Sequence, residues 1–150
     1  MTSQPLHYTR CGLDWVYLEN GYEIHETPHG TGYVVHDVQG LHDLLLRETV
    51  TSSAPIRGQE LRFIRTMLDL SQEGMGKILG VERLAVTRME GERDKTISRT
   101  ADHNIRMYMA LRLEKNDLAG RVLEVLSEID DPKHGNMRFT PTEAGWAIAA

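Results

Sequence analysis

The stretch from Leu70 to Gly91 constrains this chain more than any other. It runs Leu70-Ser71-Gln72, then Met75-Gly76, Leu79-Gly80-Val81, Val86 and Glu90-Gly91. Ser71 can accept a hydrogen bond from the free amides that open a helix, and Gly80 supplies the backbone freedom that a tight turn between helices needs. The spacing therefore predicts two short helices joined by a sharp turn. Met75, Leu79, Val86 and Met89 recur where such a pair buries its facing sides. Arg83, Leu84, Thr87 and Arg88 are left on the outer face of the second helix, shaped to meet a groove.

At these residues the chain resembles the XRE family, the Cro/CI-type helix-turn-helix transcriptional regulators. That family's pattern is Ser/Thr-Gln, a Leu-Ala pair, Leu-Gly-Val and a closing Glu-x-Gly or Glu-Gly. Ser71-Gln72, Leu79-Gly80-Val81 and Glu90-Gly91 fit directly, and Met75-Gly76 stands where Leu-Ala is usual. Gly76 keeps the small residue that a close helix crossing needs, although Gly74 and Gly76 each cost about 1 kcal/mol of helix propensity relative to Ala. A second likeness lies outside the motif. The run Gly58-Gln59-Glu60-Leu61-Arg62-Phe63-Ile64-Arg65, with Cys11-Gly12-Leu13 through Asn20-Gly21-Tyr22, is similar to MqsA-like regulators. In those proteins an N-terminal zinc-binding region precedes an XRE domain, and many are antitoxins that repress their own operons. Such zinc regions use two pairs of cysteines, whereas this chain has only Cys11. The zinc-binding cysteines are missing, and no cofactor is expected.

The resemblance implies roles for individual residues. Arg83, Leu84, Thr87 and Arg88 fall where family members reach the bases, and Gln72 where they hold a phosphate. Arginine to guanine is the commonest specific pairing in the major groove, and Leu84 can offer only an apolar contact to a thymine methyl. Sequence reading then rests on Arg83, Thr87 and Arg88. Arg62, Arg93, Lys95 and Arg99 are candidates for further phosphate contacts. Glu90 is expected to be structural, pairing with Arg62 or Arg65. The plainer readings are a solvated Arg88–Glu92 pair at i,i+4 and a Gln72 that merely begins a helix.

Charge is unevenly distributed. The chain carries a formal net charge of -5. Residues 1–56 hold 2 basic and 7 acidic groups, residues 57–112 hold 11 and 8, and residues 113–150 hold 4 and 7. Phosphate binding depends on local contacts, so a basic centre between acidic ends is compatible with DNA recognition. Homodimerisation would double those contacts. With 40% hydrophobic and 26% charged residues the chain reads as a globular protein. The sequence shows no apolar run of membrane-spanning length, no secretion-signal layout and one cysteine, so a cytoplasmic protein without membrane partners is expected.

The expected fold is α+β: a small N-terminal hairpin or sheet with a helix, then an all-α lambda-repressor-like domain. Residues 1–53, 54–116 and 117–150 are the expected divisions. Asn20-Gly21 between Trp15-Val16-Tyr17-Leu18 and Tyr22-Glu23-Ile24-His25 is a hairpin signal. Gly32–His36 follows as a third strand after Pro28-His29-Gly30, and Val38–Val50 reads as a helix with Leu41, Leu44, Leu45 and Val50 inward. Thr51-Ser52-Ser53-Ala54-Pro55 reads as a linker. Leu61, Ile64 and Leu68 mark another helix. Thr100 is the expected cap of a helix carrying the stripe Ile105, Met109 and Leu113, which serves as core or as a dimer face. A last helix is expected from Asp117 to Ile129, and the tail around Phe139 and Trp146 leaves strand and coil open.

Two other chemistries can be drawn. His7, Cys11, His25, His29, His36 and His42 crowd the first third, and a metal-sensing regulator could use them, although the histidine and cysteine spacing lacks any Cys-x-x-Cys pair. No phosphate loop, His-Glu-x-x-His or ordered nucleophile is present, so an enzyme is not expected. The leading expectation is a dimeric regulator on a palindromic double-stranded DNA operator. The alternative is an antitoxin that binds a toxin partner and autoregulates.

Overall fold

The computed structural model describes residues 4–113, 118, 121, 122, 125 and 134–150. It is an α+β protein whose chain forms two compact units, Met1–Leu45 with Gly135–Ala150, and Leu46–His134. The division falls inside the first helix, α1 (Val38–Thr51). Among the described residues no helix is long and apolar enough to cross a membrane.

In the first unit, β1 (Leu6–His7), β2 (Val16–Leu18), β5 (Met137–Thr142) and β6 (Gly145–Ile148) form one sheet in the order β1-β2-β5-β6. β2 runs antiparallel to β1 and parallel to β5, with Leu6 and Phe139 flanking Leu18. The tail is therefore strand. β3 (Tyr22–Thr27) and β4 (Gly30–Val35) make a separate antiparallel ribbon about the turn at Pro28-His29. Tyr8, Leu13, Trp15, Val16, Leu18, Leu41, Leu45 and Phe139 are buried.

This pairing corrects the hairpin expected at Asn20-Gly21. The turn forms, with Gly21 at φ +86° and its amide donating to Asn20 Oδ1 at 2.8 Å. Yet β2 and β3 do not pair, because β1 and β5 occupy both edges of β2. Val16, Leu18 and Phe139 are fully buried in that arrangement, whereas Glu23 to Thr27 stay exposed. Burial of the apolar side chains outweighs the local preference for closing a hairpin.

The second unit contains α2 (Gly58–Met67), α3 (Gln72–Leu79), α4 (Arg83–Gly91) and α5 (Arg99–Arg112). Leu61, Phe63, Ile64, Met75, Leu79, Val86, Ile105 and Met109 are buried together with Leu118 and Val122. The stripe on α5 is thus core, with Leu113 half-buried at its end. Ser98, not Thr100, caps α5, accepting from the Ala101 amide at 3.2 Å. Thr100 lies within the helix, one residue past its first. The expected last helix lies largely outside the described residues; Leu118, Arg121, Val122 and Val125 of it are described and helical.

The polar stretch Ser52–Pro55 is no loose connector. Arg106 of α5, wholly buried, donates to the carbonyls of Val50, Ser52 and Ala54 and to Asp102, and Asp102 in turn accepts from the Ile56 amide at 2.8 Å.

Candidate nucleic-acid interface

The α3–α4 corner is built by local chemistry. Ser71 accepts from the Gly74 amide at 2.9 Å and starts α3. Gly80 ends it in the left-handed region, φ 72° and ψ 31°, with its amide donating to the Gly76 carbonyl. The Val81 amide also bonds to that carbonyl at 2.9 Å. Gly76 is where α3 packs against the turn that leads into α4, since a Cβ there would stand 2.6 Å from the Val81 carbonyl oxygen. The small residue is a steric requirement of the crossing.

α2 is fastened to the same corner. A Cβ on Gly58 would meet the Met89 carbonyl at 2.0 Å, so the start of α2 lies against the end of α4. The first amides of α2, free of helical partners, donate to the following loop: Gly58 to Lys95 O and Gln59 to Arg93 O, both at 3.1 Å. Gln59 Nε2 adds a bond to Asp94 Oδ1 at 3.1 Å. Glu60 reaches back to the Arg57 amide and guanidinium at 2.9–3.0 Å.

Beneath α4 lies a charged pair. Arg65 of α2 donates to Glu90 of α4 through Nε (2.6 Å) and Nη2 (2.9 Å), and through Nη1 to the Leu70 carbonyl (2.9 Å). Glu90 is 6% exposed. Of the two expected arginine partners, Arg65 is chosen, and Arg62 stays exposed. Those bonds to Glu90 raise the Arg65 pKa above its ordinary value.

The outer face of α4 presents Arg83, Leu84, Thr87 and Arg88, all exposed, with Leu84 at 69%. A leucine so exposed beside two arginines has no role in this unit's core. The expected Arg88–Glu92 pair does not form among the described residues; Glu92 pairs instead with Lys95 at 3.4 Å. Gln72 is half-buried rather than open. Its Nε2 donates to Glu90 Oε1 at 3.3 Å, and its Oε1 accepts from the Thr87 hydroxyl at 2.7 Å. Sequence reasoning placed Gln72 and Thr87 separately and missed that bond. Its only signal is that the crossing at Gly76 must bring the first residue of α3 beside the middle of α4. Arg62, Arg93, Lys95 and Arg99 are exposed; the carbonyls of Arg93 and Lys95 hold their loop to the start of α2.

The histidines of the first unit are dispersed. His7 stacks on Tyr17 at 4.5 Å and bonds to the Asp14 carbonyl at 2.8 Å. His42 meets the Tyr8 hydroxyl at 2.9 Å. His25 and His36 lie 3.7 and 3.8 Å from the two oxygens of Glu23 on the exposed ribbon. Burial pushes the Cys11 thiol up, away from the thiolate a metal binds. Among the described residues no three His, Cys, Asp or Glu side chains gather to hold a metal ion.

No family model matches the chain, and no curated protein or solved structure matches it either.

Proposed function

We propose that this chain is a sequence-specific DNA-binding transcriptional regulator of the XRE type, with α2 to α5 as a lambda-repressor-like helix-turn-helix domain. The carrying observation is the outer face of α4, where Arg83, Leu84, Thr87 and Arg88 stand exposed on a helix fixed from beneath by the Arg65–Glu90 pair. α4 would enter the major groove, Arg83 and Arg88 would take guanine edges, and Gln72 would hold register at a phosphate with its remaining amide hydrogen. A dimer would engage two half-sites about one helical turn, ~34 Å, apart. The protein would then act in the cytoplasm by occupancy, without catalysis.

The test is binding to the DNA upstream of the protein's own coding region across a salt series, against random duplex of equal length. Specific binding that weakens with salt and is lost in Arg83→Ala/Arg88→Ala supports the reading. Equal affinity for random DNA, or full binding by the double variant, sinks it.

A second reading, an antitoxin, draws on Ile24 and Val34, which stand 59% and 52% exposed on the β3–β4 ribbon. That ribbon would dock a toxin. Failure of the purified protein to retain the product of a neighbouring reading frame removes this reading.

A further inference from the structure

The side chains behind the outer face of α4 form one hydrogen-bond chain whose direction is forced. Glu90 receives two bonds from the Arg65 guanidinium, so it is a carboxylate that can only accept. The Gln72 atom bonded to Glu90 Oε1 must then be its amide nitrogen, which turns its oxygen toward Thr87. The Thr87 hydroxyl, 2.7 Å from that oxygen, can act toward it only as a donor. Its other neighbour within the protein, the Arg83 carbonyl at 3.2 Å, is also an acceptor. Whichever of the two takes the single proton, that proton stays inside the protein. To a further partner the exposed Thr87 hydroxyl then offers only a lone pair.

We infer that Thr87 reads an exocyclic amine, adenine N6 or cytosine N4, at one position of the DNA site. This rests on the DNA-binding reading and adds to it the class of base edge recognised. In the major groove guanine presents N7 and O6, and thymine presents O4 beside its C5 methyl; these acceptors repel a hydroxyl with no proton to give, whereas the two amines are donors. Arg83 and Arg88 carry donors alone. The face is therefore divided between two donor groups suited to guanine and one acceptor suited to an amine. The Arg65–Glu90 pair sets that division through the orientation it imposes on Gln72.

Selection of bound duplexes from a randomised library by the full chain, and by Thr87→Val and Thr87→Ser, tests the inference. Valine keeps the methyl and removes the lone pair; serine does the reverse. Thermal melting confirms that each variant is folded, as expected for an exposed position. The wild type should enrich adenine or cytosine at one position, Thr87→Val should lose that preference by about three- to tenfold while keeping the others, and Thr87→Ser should retain it. Retention by Thr87→Val, loss in Thr87→Ser, or enrichment of guanine or thymine at the position that Val alters overturns the inference and leaves the DNA-binding reading standing. A wild type that enriches no sequence overturns both.

Discussion

Arg106 Nε lies 2.6 Å from Asp102 Oδ1 on successive turns of α5, with the arginine wholly buried and the aspartate nearly so. Both partners make further hydrogen bonds. Three carbonyls before α2 accept three of the four remaining guanidinium hydrogens, and the second carboxylate oxygen accepts from the Ile56 amide. One side chain thus ties the end of α1 and the approach to α2 onto α5.

Removing that arginine leaves a buried charge and three carbonyls without their partner. Arg106→Met is expected to cost about 3–5 kcal/mol, read as a lower urea midpoint. Arg106→Lys should recover little of it, because an ammonium lacks the planar fork that spans the three carbonyls and Asp102.

Burial of Tyr8 and His42 should give the first unit a pH window. Burial, with a contribution from Cys11, raises the Tyr8 hydroxyl to about 12 from an ordinary value of 10.0. The stability it contributes is complete below pH 10 and is lost as pH rises toward 12, because the unfolded chain ionises first. Burial lowers the His42 pKa below 6.5, so its contribution is present above pH 6.5 and is lost on acidification, when the unfolded chain takes the proton first. Ultraviolet titration should show a tyrosine ionising well above pH 10, absent in Tyr8→Phe, and the His42 ring should titrate below 6.5 in NMR spectra. A His42 midpoint at or above 6.5 would contradict the assignment.

Two glycines of the helical unit should respond oppositely to alanine. Gly76→Ala gains helix propensity but drives a methyl to 2.6 Å from the Val81 carbonyl, so a net loss of about 1–3 kcal/mol is expected. Gly91→Ala meets nothing within 4 Å and should stabilise by up to about 1 kcal/mol. Paired denaturation curves check both. An unaffected Gly76→Ala would mean that the α3–α4 crossing can yield.

Trp146 should act as a clasp within the first unit. Its indole N–H is shared between the carbonyls of His36 (3.1 Å) and Asp37 (2.9 Å), and its ring lies over Gly21, where a Cβ would fall 2.5 Å from Cη2. Trp146→Phe keeps most of the ring and loses the donor, an expected cost of about 0.5–1.5 kcal/mol. Gly21→Ala adds the collision to a strained φ of +86°, and its loss should exceed the ~1–2 kcal/mol of the backbone strain alone. Thermal unfolding of both variants gives the comparison.

Legibility divided along the range of the interactions. Ser71 and Gly80 were readable because a cap and a left-handed turn are decided within about four residues. The helices over Val38–Thr51 and Gly58–Met67 were readable from apolar spacing, and Leu41, Leu45, Leu61 and Ile64 are buried as that spacing requires. The cap of α5 was misplaced by two residues because Ser98 and Thr100 are both competent, and only the structure shows which amide is reached. Arg106 left a faint signal. Asp102 and Arg106 stand i,i+4 beside Ile105 and Met109, on the face that turns inward.

By itself, then, the sequence determined the two helices and turn between Leu70 and Gly91, the exposure of Arg83, Leu84, Thr87 and Arg88, and the α+β class. Only the tertiary structure decided that β2 takes β1 and β5 rather than β3, that Arg65 rather than Arg62 holds Glu90, and that the Thr87 hydroxyl lies 2.7 Å from Gln72 Oε1. The reason is physical. Helix periodicity and capping depend on neighbours that the chain cannot avoid, whereas edge pairing and buried polar bonds are competitions among distant groups, settled by which arrangement buries most apolar surface and leaves no polar group unpaired.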